Sequence, residues 1–241
     1  MMLSQAEIKK LRSLREKKFR DECSLFVVEG DKLVQEALQS GWDVEKIYRT
    51  EEIGAEAMSR ISMLSSPSPS LAVVRQKKDA FIPGQDLPSG LYLALDCIRD
   101  PGNLGTILRI ADWFGIRAVF ASPDSVELYN PKVVQSTMGS VFRVEFHRCD
   151  IPALCSGVIS SGGSVLGTFL DGEDIYKADI APGNVSLIVI GNEANGISEA
   201  VEKLVSKRLT IPSYSLSCGP ESLNAAVATA VAVSELKRRG F

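Results

Sequence analysis

The sequence predicts an α/β protein: a mostly parallel sheet covered by helices on both faces, preceded by a smaller α/β domain. Two observations carry that expectation. From Leu91 onward five strand-like runs, LYLAL, AVF, SVLGTF, SLIVI and KRLTI, alternate with helical stretches, and strands buried on both faces read as continuous apolar runs. Before them, KKDAFIPGQDLPSG, Lys77 to Gly90, mixes charge, proline and glycine as a domain boundary does. A chain of 241 residues then divides into residues 1–80, a linker at 81–90 and residues 91–241, since a single domain typically takes roughly 100 to 200 residues.

In chain order, Ser4 to Lys18 reads as a basic helix with Ile8, Leu11 and Leu14 along one stripe. Ser24 to Val28 is a short strand, Asp31 to Gln39 a helix and Val44 to Tyr48 a strand. Ser62 to Ser70 is a Ser/Pro loop, and Leu71 to Arg75 is a further strand. In the second domain the last helix, Ser222 to Arg239, is small and apolar almost all round before it turns charged. Such a helix is buried, in the core or against another subunit.

Hydrophobic residues at 45% and charged residues at 24% suit a folded protein with a sizeable core. The longest apolar run, Ala225 to Val233 interrupted by Thr229, is too short to span a bilayer, so the expectation is a cytoplasmic protein without a membrane partner. Five cysteines without a C-x-x-C pair and one histidine, His147, point to free thiols and no metal site. A net charge of −3 opposes broad nucleic-acid binding. Locally, KKLRSLREKKFR holds seven basic residues and one acidic one: Lys9, Lys10, Arg12, Arg15, Lys17, Lys18 and Arg20. That run is either a solvated helix face or an RNA contact.

Three segments carry chemistry. In LDCIRDPGNLGTILRIADWFGI, Leu95 to Ile116, a strand enters a turn at Asp100, Pro101 and Gly102. Asn103 falls where a helix cap is expected, with Leu104, Ile107, Leu108 and Ala111 facing the sheet. Asn103 is a cap or a ligand group, and Arg109 a surface or a site residue. In SLIVIGNEANGIS, Ser186 to Ser198, an apolar strand stops at Gly191, Asn192 and Glu193, at the strand end where open parallel sheets bind ligands. Glu193 is then a site residue or a solvated turn residue, and Ser198 a cap. In LTIPSYSLSCGPESLNAAVATAVAVSEL, Leu209 to Leu236, a strand meets Pro212, a loop holds Cys218, Gly219 and Pro220, and Ser222, Leu223 and Asn224 open the buried helix. Ser222 caps that helix or meets a ligand at its free N–H groups. Neither a dinucleotide-binding glycine fingerprint nor a P-loop is present, which disfavours a nucleotide-dependent enzyme.

Together and in this order, the three segments resemble the signature motifs of the SpoU/TrmH family of RNA methyltransferases, in the SPOUT class. The matching residues are Asn103, Gly105 and Arg109; Gly191, Asn192, Glu193 and Gly196; and Ile211, Pro212, Ser222, Leu223 and Asn224. The resemblance covers residues 91 to 241, and the N-terminal part is similar to the L30e-like substrate-binding domain of many members. SYSLSCGPE, residues 213 to 221, is longer than the family's usual loop.

The resemblance implies a homodimer, a C-terminal trefoil knot and methyl transfer from S-adenosylmethionine to a ribose 2′-hydroxyl of RNA, with ribosomal RNA favoured over tRNA by the separate N-terminal domain. It implies cofactor contacts at Thr168, Gly191, Asn192, Ile211 and Leu223. Asn103, Glu193, Ser222 and Asn224 would orient the reacting groups. Arg109 takes the central role; an arginine is effectively always charged and so a poor base, which makes it a phosphate clamp, with the proton acceptor left open. The alternatives are a tRNA 2′-O-methyltransferase and a non-catalytic RNA-binding protein.

Overall fold

A computed structural model describes residues 3–82, 84–215 and 222–241. In chain order its elements are α1 (Gln5–Ser13), α2 (Lys17–Cys23), β1 (Leu25–Glu29), α3 (Asp31–Gln39), β2 (Val44–Arg49), α4 (Thr50–Ile53), α5 (Ala55–Ile61) and β3 (Ser70–Arg75). There follow β4 (Gly90–Leu95), α6 (Pro101–Trp113), β5 (Val119–Ala121), α7 (Pro131–Thr137), β6 (Phe146–Arg148), α8 (Ile151–Ser160), β7 (Ser164–Asp174), β8 (Val185–Ile190), α9 (Glu199–Glu202), β9 (Lys207–Thr210) and α10 (Ala225–Arg238). Two compact units result: residues 1–78 with 127–143, and residues 79–126 with 144–241.

The first unit is built on an antiparallel sheet of order β1-β3-β2, with Val27 opposite Val73 and Ile47 opposite Ala72. Strand alternation sends Leu25, Val27, Leu71 and Val73 to one face, against Ile8, Leu11, Leu14, Met58 and Ile61. On the other face Phe26 lies 4.6 Å from the Tyr129 ring and 6.0 Å from that of Trp42, and Trp42 stands edge-on to Phe142 at 5.3 Å. Residues 127–143, within the stretch that the sequence assigns to the second domain, thus supply aromatic cover for this sheet. Lone chain periodicity carries no sign of that.

The helix expected over Ser4 to Lys18 is two helices. Arg20 donates through Nη1 to the carbonyls of Leu14 and Arg15, both at 2.7 Å. A cation bound to the last carbonyls ends a helix, and α2 restarts at Lys17. Arg20 is 2% exposed and pairs with Glu127. Its place in the exposed basic run is therefore corrected: its charge is committed inside the unit.

In the second unit six strands lie in the order β6-β5-β4-β8-β7-β9, and every pairing is parallel. Tyr92, Ala94, Phe120, Leu187 and Val189 pack with Leu154, Val158 and Val201 from α8 and α9. The alternate residues Leu93, Leu95 and Ile188 are fully buried on the opposite face, and α6 and α10 pack against each other. The edge strand β6 has no counterpart among the sequence-predicted strands; it is three residues long and part-exposed, too short to show a period. Asp79 accepts from His147 Nδ1 at 2.8 Å and from the Arg148 amide at 2.6 Å, and Phe81 packs on the Phe120 ring at 4.6 Å. The chain just after Lys78 is thereby bound to that edge.

The C-terminal helix begins at Ala225 rather than Ser222, because Asn224 is its cap: Asn224 Oδ1 accepts from the amides of Ala226 and Val227. At its far end Glu235 takes three charge-assisted bonds of 2.7 Å from Arg238 and Arg239. Arg239 also donates to the carbonyls of Ala178 and Ile175. The hydrogen bonds of Arg238, then those of Arg239, pull the Glu235 carboxyl down to about 2. A carboxyl lowered by folding contributes stability that is complete above its unfolded value, about 4.3, and is lost as pH falls through the folded value. Acid unfolding of the wild type should therefore steepen between those pH values. Glu235→Gln should flatten that limb in a pH series of urea titrations; an unchanged limb would remove Glu235 from the acid transition.

Candidate active site

β4 and β8 are neighbours in the sheet, but β4 leads on to β5 and β6 on one side while β8 pairs with β7 on the other. Open α/β sheets bind ligands at such a switch, beyond the strands' carboxyl ends. Both strands stop level, Leu95 opposite Ile190, and the Asp96 amide donates to Ile190 O at 2.9 Å.

The turn after β4 is braced from both sides. Asp96, buried, accepts from the Ser198 amide at 2.7 Å. Cys97 has φ of 62°, a conformation uncommon for a residue with a side chain. Its amide donates to Ser122 Oγ at 2.8 Å, and its carbonyl accepts from Asn192 Nδ2 at 2.8 Å. Burial and then the nearby Asp124 push the Cys97 thiol above its ordinary range, so it is no ready nucleophile. Asp96, Cys97 and Ser122 escaped the sequence reading, since a left-handed cysteine has no sequence mark. Asp100, not Asn103, caps α6: its Oδ1 accepts from the Asn103 amide at 2.8 Å. Pro101 fills the first helical position, where a missing N–H costs nothing.

The freed Asn103 side chain faces inward. Its Nδ2 donates to Glu193 Oε1 at 2.5 Å, and its Oδ1 accepts from Asn224 Nδ2 at 2.8 Å. The three sequence segments meet in this one chain of bonds. The loop after β8 is drawn tight: Asn192 and Gly196 exchange two backbone bonds of 2.9 Å, and Asn192 Oδ1 accepts from the amides of Ala194 and Asn195. The Asn192 side chain thus bonds within this loop and to the Cys97 carbonyl, while its backbone N–H and C=O both pair with Gly196. Ser198 precedes α9 without a side-chain capping bond.

Because β8, β7 and β9 are adjacent and parallel, Gly191, Thr168 and Ile211 stand in a row along one sheet edge. Thr168 Oγ1 donates to Val189 O at 3.2 Å, Ile211 is half-buried and Leu223 is 48% exposed. An uncharged rim of backbone and apolar side chains fits a purine ring and its ribose. Ser222 is exposed at the same helix start. Cys218, Gly219, Pro220 and most of the long loop over 213–221 lie outside the described residues.

Arg109 is exposed and makes no hydrogen bond or ion pair with the described residues. It follows Asn103 by six positions on α6, about 120° around the helix, on the face of Trp113, which is 85% exposed. Of the basic run, Lys9 and Arg12 are exposed and unpaired with the described residues, while Lys10, Lys17 and Lys18 pair with Glu45, Asp21 and Glu22. Arg15 donates to Ser62 O. No helix of the described residues is long and apolar enough to cross a membrane, and no cluster of three His, Cys, Asp or Glu residues there could hold a metal ion.

Fold and site define an α/β protein with a candidate ligand site at the switch of a parallel sheet. The chain belongs to the SpoU rRNA Methylase family, whose model matches residues 90–234; residues 5–79 match an MRM3-like substrate binding domain. It is similar to the Bacillus subtilis 23S rRNA (guanosine(2553)-2′-O)-methyltransferase RlmP, 28% identical over 96% of both chains. A TrmH-family protein from Porphyromonas gingivalis superposes with a TM-score of 0.89 at 38% identity, over 100% of both chains. An AdoMet-bound rRNA methyltransferase from Sinorhizobium meliloti superposes with a TM-score of 0.87 at 27% identity, over 100% of this chain and 98% of that one.

Proposed function

We propose that this chain is an enzyme that methylates a ribose 2′-hydroxyl of ribosomal RNA with S-adenosylmethionine. The observation that carries the reading is the Glu193–Asn103–Asn224 chain of bonds, which joins the three motif segments beside the uncharged strand-end row. Bound along that row, the cofactor supplies a methyl group on a cationic sulfur. Thr168, Gly191, Asn192, Ile211 and Leu223 hold it. Asn103, Glu193, Ser222 and Asn224 align the acceptor ribose, and alignment is where much of such a barrier is lowered.

Arg109 clamps an RNA phosphate, since a guanidinium matches phosphate with paired donors. Lys9 and Arg12 give the first unit its RNA contact, with Lys10, Arg15, Lys17 and Lys18 reinforcing it at lower free charge. Ribosomal RNA is favoured over tRNA because residues 5–79 match a substrate binding domain and RlmP is named for 23S rRNA.

The protein acts as a homodimer. Trp113, Val227 and Leu223 are 85%, 50% and 48% exposed on α6 and at the start of α10, and exposed apolar clusters of this kind mark interaction surfaces. Arg109, on the Trp113 face, then addresses RNA from the seam between copies. A trefoil knot is supported by the return of the chain from β9 at one sheet edge to α10 beside α6. A cytoplasmic location suits this substrate and the four described free thiols.

Purified protein incubated with labelled S-adenosylmethionine should label a ribosomal RNA pool and leave a tRNA pool blank. Label in tRNA alone would overturn the choice of RNA, and label in neither would overturn the activity.

A further inference from the structure

The order of donors and acceptors in the site is forced. The amides of Ala226 and Val227, at the start of α10, can only donate, so the Asn224 oxygen that receives them is an acceptor and its Nδ2 must donate. Nδ2 donates to Asn103 Oδ1, which leaves Asn103 Nδ2 to donate to Glu193 Oε1. One oxygen of Glu193 is thus locked as an acceptor by a relay that starts at a helix end. Among the described residues the other oxygen, Oε2, has one donor near it, Asn192 Nδ2 at 3.5 Å, and the residue is exposed at the carboxyl edge of the sheet.

We infer that Glu193 is the proton acceptor of the reaction, with Oε2 as the atom that receives the ribose 2′-hydroxyl proton. This rests on the methyl-transfer reading above. The 2′-oxygen forms its bond to the methyl carbon as the methyl–sulfur bond breaks with its electron pair left on sulfur. The hydroxyl proton passes to Glu193 Oε2 and from there to water. A carboxylate that takes a hydroxyl proton during attack on a strong electrophile needs no prior ionisation of the alcohol; the catalytic aspartate of kinases works this way. Arg109, with no lone pair to offer, cannot take that part. Asn103 and Asn224 are positioning residues on this account: they fix which oxygen of Glu193 is open.

Glu193→Gln tests the inference, because a glutamine can still present a carbonyl oxygen to Asn103 Nδ2 while losing the ability to accept a proton. Single-turnover rates across pH and calorimetric S-adenosylmethionine binding are measured for the wild type, Glu193→Gln and Glu193→Asp. The expected result is a roughly 10²-fold lower rate for Glu193→Gln, unchanged cofactor affinity, and loss of the acid limb of the wild-type rate profile. Glu193→Asp keeps a carboxylate and should keep the acid limb at a reduced rate. Glu193→Gln turning over at the wild-type rate, or keeping the acid limb, would overturn the inference while leaving the methyl-transfer reading intact. A wild type that binds cofactor but transfers no methyl to RNA would overturn that reading and the inference with it.

Discussion

Arg109→Ala lowers kcat for methyl transfer by about 10²–10³-fold, the usual cost of removing one group that stabilises or holds a charged reacting partner, and leaves S-adenosylmethionine affinity unchanged. The sheet-facing residues of α6, Leu104, Ile107, Leu108 and Ala111, are fully buried, whereas Arg109 is exposed and unbound to the described residues. Truncation there takes nothing from the core, and exposed substitutions of this kind change stability by less than about 0.5 kcal/mol. The loss should therefore appear in turnover and RNA affinity, with an unchanged melting temperature. Arg109→Lys keeps the charge without the planar fork and should fall between the two. Steady-state kinetics with ribosomal RNA, beside calorimetry with cofactor alone, makes the separation. Wild-type turnover in Arg109→Ala would remove this residue from the reaction.

Gly191→Ala abolishes cofactor binding. A Cβ at 191 would stand 2.3 Å from Gly196 C and from Ile197 N, and 2.6 Å from Gly196 O. These are backbone atoms of the same tight loop, so no side chain can swing aside, and overpacking commonly costs about 1–3 kcal/mol. Displacing the loop also shifts Glu193 away from Asn103. Gly196→Ala is the informative control: Gly196 has φ of 68° but nothing within 4 Å of its added Cβ, so only the left-handed backbone penalty of roughly 1–2 kcal/mol applies. Calorimetry should find no S-adenosylmethionine binding by Gly191→Ala and weakened binding by Gly196→Ala. Equal affinity in the two would locate the cofactor away from this loop.

What the sequence makes readable depends on how far apart the cooperating residues lie. β4 and β8 were plain because strands buried on both faces stay apolar throughout. Glu193 and Asn224 could be nominated from strand-end and helix-start positions, but their union through Asn103 spans 90 and 121 residues, which no periodicity encodes. In sequence Asp100 and Asn103 both suit the cap of α6, and Pro101 decides for Asp100. The break after Ser13 escaped because its cause is Arg20, a buried cation whose pairing with Glu127 crosses 107 residues. Basic residues look alike in sequence; burial separates Arg20 from Lys9 and Arg12.

Nucleoside analysis of the reacted RNA tests the central claim most directly. Ribosomal RNA treated with the protein and isotopically labelled S-adenosylmethionine, digested to nucleosides and resolved by mass spectrometry, should carry the label on the ribose of one 2′-O-methylnucleoside. Label on a base, or label absent from every nucleoside, would contradict it.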